Sequence, residues 1–101
     1  MTKVINTPED SEEGALLLLL SEEVSDAFAA GDRTLVEAFS EGIQVKSLKP
    51  VFTISPDKEK VARKHNLHRW FKVEFEGMDK SVAAARLTTF SDVVKVQYNK
   101  A

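Results

Sequence analysis

"GALLLLLSEE", residues 14–23, sets five leucines in a row between a glycine and an acidic stretch. A strand with one face on a core and one in water alternates apolar with polar residues, so an unbroken run must find a place for its second face. Two readings fail on length. A secretory leader needs a basic stretch followed by roughly 7–15 apolar residues and a small-residue cleavage site; here the preceding segment is acidic, and the apolar run Ala15–Leu20 is short. A membrane-spanning helix needs about 20 apolar residues. Any leader of the natural protein is therefore expected outside this sequence. Periodicity alone does not separate strand from helix in so short a run, and a helix from Pro8 onward is the alternative. Gly14 interrupts that approach, and Ser21-Glu22-Glu23 reads as a fresh helix start, with a capping serine and acids in the first turn. The run is read as a strand.

Working outward, residues 1–13 show no periodicity and form a flexible lead-in, leaving residues 14–101 as one domain. After Ser21, apolar residues at Val24, Ala27, Phe28, Leu35, Val36 and Phe39 make one helical stripe. Gly31-Asp32 interrupts it, so a break or two stacked short helices is expected, with Asp32 capping the second. "VKSLKPVFTIS" (45–55) alternates around Pro50, which has no N–H to donate, and so reads as an edge strand. Ser55-Pro56-Asp57 starts a short charged helix that Asn66 stops in the left-handed region. In "RWFKVEFEG" (69–77), Phe71, Val73 and Phe75 point one way, while Trp70, Lys72, Glu74 and Glu76 point the other. Asp79 caps a last helix with Val82, Ala83, Leu87 and Phe90 on one face. "VVKVQYN" (93–99) closes the chain as a strand with Val94, Val96 and Tyr98 inward.

This order is α+β, the ferredoxin-like split βαβ plan: a four-stranded antiparallel sheet with helices on one face and an extra short helix between strands 2 and 3. The first and third strands are central. One set of leucines (16, 18 and 20, or 17 and 19) meets the helices, and the other lies on the bare face beside Trp70 and Val93. An apolar strip on a bare face of so small a protein marks a docking surface, unless the lead-in or the 56–66 helix folds over it. The residues assigned to docking are Leu17, Leu19, Trp70, Lys72, Glu74, Val93, Tyr98 and Asn99, with Tyr98 counted here as well as inward. The same strip allows self-association.

Composition bounds the rest. The chain has 101 residues, 43% apolar and 30% charged, with a net charge of −2, which suits one globular domain with a radius of gyration of roughly 13 Å. Cysteine is absent, which removes disulfides, thiolate nucleophiles and cysteine-ligated metals. Charge is uneven: residues 1–30 are mostly acidic, residues 58–72 mostly basic.

The element order, together with "HNLHRWFKVEFEG…VAAARLTTFSDVVKVQYN", resembles the N-terminal prodomain of secreted bacterial subtilisin-like serine proteases. That family pairs a short basic helix with a Leu-x-Arg-Trp/Tyr strand opening, an alanine-rich helix and a closing Val-x-x-Val-Gln/Glu-Tyr-Asn strand. Leu67, Arg69-Trp70, Val82-Ala83-Ala84-Ala85, Val93, Val96, Tyr98 and Asn99 match it. The likeness spans roughly residues 14–99, and the C-terminal half is the more specific. It implies a propeptide that packs its open sheet face on the catalytic domain, assists its folding and inhibits it, in a secreted or cell-envelope setting. No catalytic triad is carried over, because the protease domain is absent from these residues. The chain stops at Asn99-Lys100-Ala101, so docking is expected more than unaided inhibition.

Other chemistry is thinly supported. His65 and His68 have a spacing that can place two ligands on one helix face, but a zinc site needs more ligands; neither metal nor cofactor is expected. Ser47, Ser55 or Ser81 as a nucleophile would need a base held by a third group, and none is indicated, so no enzyme is expected. The basic stretch Lys58–Lys72 with Trp70 and Phe71 raises a ferredoxin-like module for nucleic acid or another protein as the alternative. Phe71 and Phe75 alternate into the core, however, and the glycine-rich aromatic motif of RNA-binding sheets is missing. No membrane and no nucleic-acid partner are expected.

Overall fold

A computed structural model describes residues 3–7, 9–52 and 54–100; the parts of the expected lead-in at 1, 2 and 8, of the expected 45–55 strand at 53, and the last residue lie outside them. The leucine run is a strand, β1 (Ser11–Leu20), followed by α1 (Glu22–Ala29), α2 (Thr34–Ser40), β2 (Gln44–Pro50), α3 (Glu59–Lys64), β3 (Trp70–Glu76), α4 (Lys80–Leu87) and β4 (Val93–Lys100). The sheet order is β2-β3-β1-β4, with every pairing of these strands antiparallel. This is the ferredoxin-like plan, with β1 and β3 central. The Cα radius of gyration is 13.2 Å.

Local chemistry explains the boundaries. The Ser21 hydroxyl accepts from the Val24 N–H at the start of α1. Asp32 Oδ1 accepts from the Thr34 N–H at 2.8 Å where the stripe restarts as α2, and Asp79 caps α4 through the Ser81 N–H. Each satisfies a backbone donor that has no partner within its own helix. Asn66 takes φ 59°, ending the turn after α3. β2 stops at Pro50, short of the expected 55.

Leu16, Leu18 and Leu20 are fully buried on the helix side, opposite Val73 and Phe71 on β3 and Tyr98, Val96 and Val93 on β4. Two edge-to-face aromatic pairs fasten the helices above them, Phe28–Phe71 at 5.0 Å and Phe39–Phe90 at 4.9 Å between ring centroids. Such pairs add about 0.5–1.5 kcal/mol beyond area burial. On α4 the inward stripe is Lys80, Ala83, Ala84 and Leu87, while Val82 is exposed. The expected stripe is therefore corrected, with Ala84 inward where Val82 was assigned.

Two further expectations are corrected. The ladder between β1 and β4 shifts register at Leu19/Leu20, so Val93 faces the core opposite Leu20 and Val94 is the exposed residue. An extra residue in one strand inverts the alternation on its far side. The lead-in is also not separate from the domain. Val4 bridges Val96 in parallel, the Ile5 N–H donates to the Val96 carbonyl, and the Val96 N–H donates to the Lys3 carbonyl. The Asn6 carboxamide completes this edge, donating to the Tyr98 carbonyl at 2.9 Å and accepting from the Tyr98 N–H at 2.7 Å. β1 begins at Ser11, and Gly14 (φ 72°) sits in its bulge, where a Cβ would lie 3.0 Å from the Phe75 carbonyl oxygen.

Candidate docking face

The face away from the helices is built by every second residue of the four strands. β1 contributes Leu17 and Leu19; β3 contributes Trp70, Lys72 and Glu74; β4 contributes Lys95 and Gln97; β2 contributes Ser47 and Lys49. Leu19 and Ala15 stay outside the main core cluster although both are buried. Leu19 lies opposite Trp70 and Lys95 and is 8% exposed. Leu17 and Trp70 are half-buried.

The strip gains two residues that strand alternation did not show. Beyond Pro50 the Val51 N–H donates to the Trp70 carbonyl at 2.9 Å. That bond brings exposed Val51 (39%) and Phe52 (42%) alongside Trp70 and Leu17, with Leu67 and Gln97 completing a shallow groove. The apolar pair directly after a strand-ending proline was the available signal. α3 does not cover this face, because its Arg63 is bound to Glu22 and Asp26 of α1. Lead-in residues 3–6 lie along the outer edge of β4.

The polar end of the face is internally bonded. Glu12, in the β1 bulge, accepts from Asn99 Nδ2 at 2.7 Å and pairs with Lys72 Nζ at 3.1 Å, spanning β4 and β3. The Asn99 hydrogen bond, then Lys72, hold the Glu12 carboxyl below its ordinary value. Ser47 Oγ donates to Glu74 at 3.2 Å.

Of the residues assigned to docking, the structure brings together Leu17, Leu19, Trp70, Lys72, Glu74 and Asn99. Two are corrected. Val93 is fully buried in the core by the β4 register shift, and Tyr98 is 5% exposed on the helix side opposite Leu16.

Three bases of the 58–72 stretch are engaged within the chain. Arg63 is bound to three carboxylates, Lys72 to Glu12, and Arg69 donates to the Leu20 carbonyl and to Asn66. Trp70 and Phe71 lie on opposite faces of β3. His65 caps the end of α3, and His68 lies past the left-handed Asn66, so the two histidines do not share a helix face. Among the described residues no three His, Cys, Asp or Glu side chains are grouped to hold a metal ion, and no helix is long and apolar enough to cross a membrane. No protein-family model, curated protein or solved structure gives a significant match to the chain.

Proposed function

We propose that this chain is a non-catalytic docking domain of the subtilisin-propeptide type, which binds a subtilisin-like catalytic domain through its open sheet face. The observation that carries the reading is the apolar strip Leu17–Leu19–Trp70, extended by Val51 and Phe52, on the side of the sheet that no helix covers among the described residues. Apolar area of this kind is unfavourable in water and is relieved by burial against a complementary surface. At one end of the strip Glu12 is bonded to Lys72 and Asn99, which borders the apolar residues with polar groups already paired, and apolar anchors of this kind contribute most of the energy of an interface. By the family resemblance, the domain assists folding of its protease and restrains it, and acts in a secreted or cell-envelope setting.

The test is a binding titration of the full chain against a subtilisin-like catalytic domain. Trp70→Glu places a charge where apolar area must be desolvated and is expected to weaken binding at least about tenfold, or 1.4 kcal/mol. The far-ultraviolet spectrum should stay that of the parent, because Trp70 points away from the helices. Equal affinities would overturn the docking face.

A further inference from the structure

The outer edge of β4 is closed by the chain's own N-terminal residues. Val4 bridges Val96 in parallel, the Ile5 N–H donates to the Val96 carbonyl at 3.0 Å, and the Val96 N–H donates to the Lys3 carbonyl at 3.0 Å. The Asn6 carboxamide stands in for a peptide unit, bonding both the N–H and the carbonyl of Tyr98. Lys3 Nζ donates to the Phe90 carbonyl at 2.9 Å, and Val4 packs against the main core cluster. Residues 3–6 thus satisfy the backbone groups of an edge strand. The same residues of a second copy would satisfy them equally well.

The route from this strap to β1 is short. Asn6 bonds to β4 on its outer side, whereas Ser11 opens β1 opposite Lys100 on the inner side. Between residues 6 and 11 the chain therefore passes from one flank of β4 to the other, roughly 10 Å or two strand spacings. Asp10, at the end of that passage, has φ 55°, a left-handed conformation disfavoured for a residue with a side chain. A short connection under strain favours release of the terminal element to a neighbouring copy, where the same contacts form and the connection extends.

Apolar surface lies at the same edge. Ile5 on the strap is 49% exposed, and Val94, two residues before Val96 on β4, is 36% exposed. They flank the Val4–Val96 bridge, and two copies meeting at this edge would take both out of water.

We propose that residues 3–6 exchange between two copies of this chain. Each strap pairs in parallel with β4 of the other copy, and Ile5 and Val94 of both copies lie at the contact. The exchange is isologous and so closes at a dimer. It uses the sheet edge and leaves the face that carries Trp70 free, so it stands apart from the docking reading. Because the strap must first leave its own edge, exchange takes place on refolding at high protein concentration rather than in the folded monomer.

The chain has no cysteine, so introduced cysteines report the exchange directly. Full-length Val4→Cys and Val96→Cys, one of them isotope-labelled, are mixed, unfolded in urea, refolded at millimolar concentration and oxidised. Bridge partners on neighbouring strands lie within disulfide range. Mass spectrometry is expected to find the two substituted positions joined between different copies, well above the cross-linked product of either variant alone. The double variant Val4→Cys/Val96→Cys, oxidised while dilute, locks each strap on its own β4. In sedimentation it should stay monomeric under conditions where the refolded parent forms a dimer.

Three results would overturn the proposal. The parent could remain monomeric after this treatment, or the mixed variants could cross-link no more than either alone. The locked double variant could also dimerise as readily as the parent, which would move the contact to another surface such as the open face. Should a substitution prevent folding, isotope-filtered nuclear Overhauser measurements on refolded labelled and unlabelled parent chains decide the question. Contacts between Val4 of one copy and Val96 of the other support the exchange, and their confinement to single copies overturns it.

Discussion

Leu19 and Trp70 lie directly opposite each other across the β1–β3 ladder, on the side of the sheet that the helices leave bare. One residue earlier on β1, Leu18 faces Phe71 on the other side, in the core. A run of identical leucines is thus divided by the pleat into two populations with different work: one holds the fold together and the other faces outward.

That division is measurable. Leu18→Ala removes a fully buried side chain and should cost about 2–5 kcal/mol, the lost transfer energy plus that of the cavity left behind. Leu17→Ala, half-buried on the open face, should cost less than about 1 kcal/mol. Urea midpoints of the two variants are the measurement. Comparable losses would show that the register is wrong.

The same contrast applies on β3. Phe75→Ala should cost about 3–5 kcal/mol, because Phe75 is buried in the main cluster. Lys72→Ala removes a partly exposed ion pair with Glu12 and should cost under about 1 kcal/mol, less at high salt.

Glu12 makes stability depend on pH. Its folded carboxyl titrates below the ordinary value because it accepts from Asn99 and pairs with Lys72. A depressed carboxyl contributes stability that is fully present above the ordinary carboxylate range of about pH 4–5, and that is lost as pH falls through the folded value. The gap in urea midpoint between the parent and Glu12→Gln should therefore be constant near neutrality and should close in acid. A gap independent of pH would remove Glu12 from this role. Asp32, also lowered by its bonds to Thr34, is present in both proteins and largely cancels in the difference.

The N-terminal residues guard an edge. Asn6→Ala removes two hydrogen bonds to the Tyr98 backbone and should cost about 1–2 kcal/mol. Removing residues 1–7 should cost more, and should also leave the β4 edge able to pair with another chain. Sedimentation of the truncated protein should show more self-association than the full chain does; a truncated form that associates no more than the full chain, with an unchanged midpoint, would contradict this.

Gly14 is a backbone requirement. Its φ is 72°, and a side chain's Cβ would stand 3.0 Å from the Phe75 carbonyl oxygen. Gly14→Ala should therefore destabilise by about 1–2 kcal/mol. Thermal melting of that variant is the check, and a neutral result would mean that the β1 bulge relaxes.

The elements and their order were legible in the chain itself. Ser21, Asp32, Asn66 and Asp79 mark boundaries through local hydrogen bonds or local backbone geometry, and the alternation of Phe71, Val73 and Phe75 orients β3. Such signals act over a few residues and need no partner. Which leucines face inward was settled by long-range packing, because Leu16 to Leu20 are chemically identical and the choice rests on pairing with β3 and β4. That packing also reversed Val93 and Val94, since a shift in register against β1 is invisible to a period of two. Residues 3–6 show no period that would announce a strand, and their pairing with β4 is made across most of the chain's length, where no local signal reaches. The meeting of Phe28 on α1, Arg63 on α3 and His68 around one cavity arises in the same way, because no spacing within the sequence records that they come together.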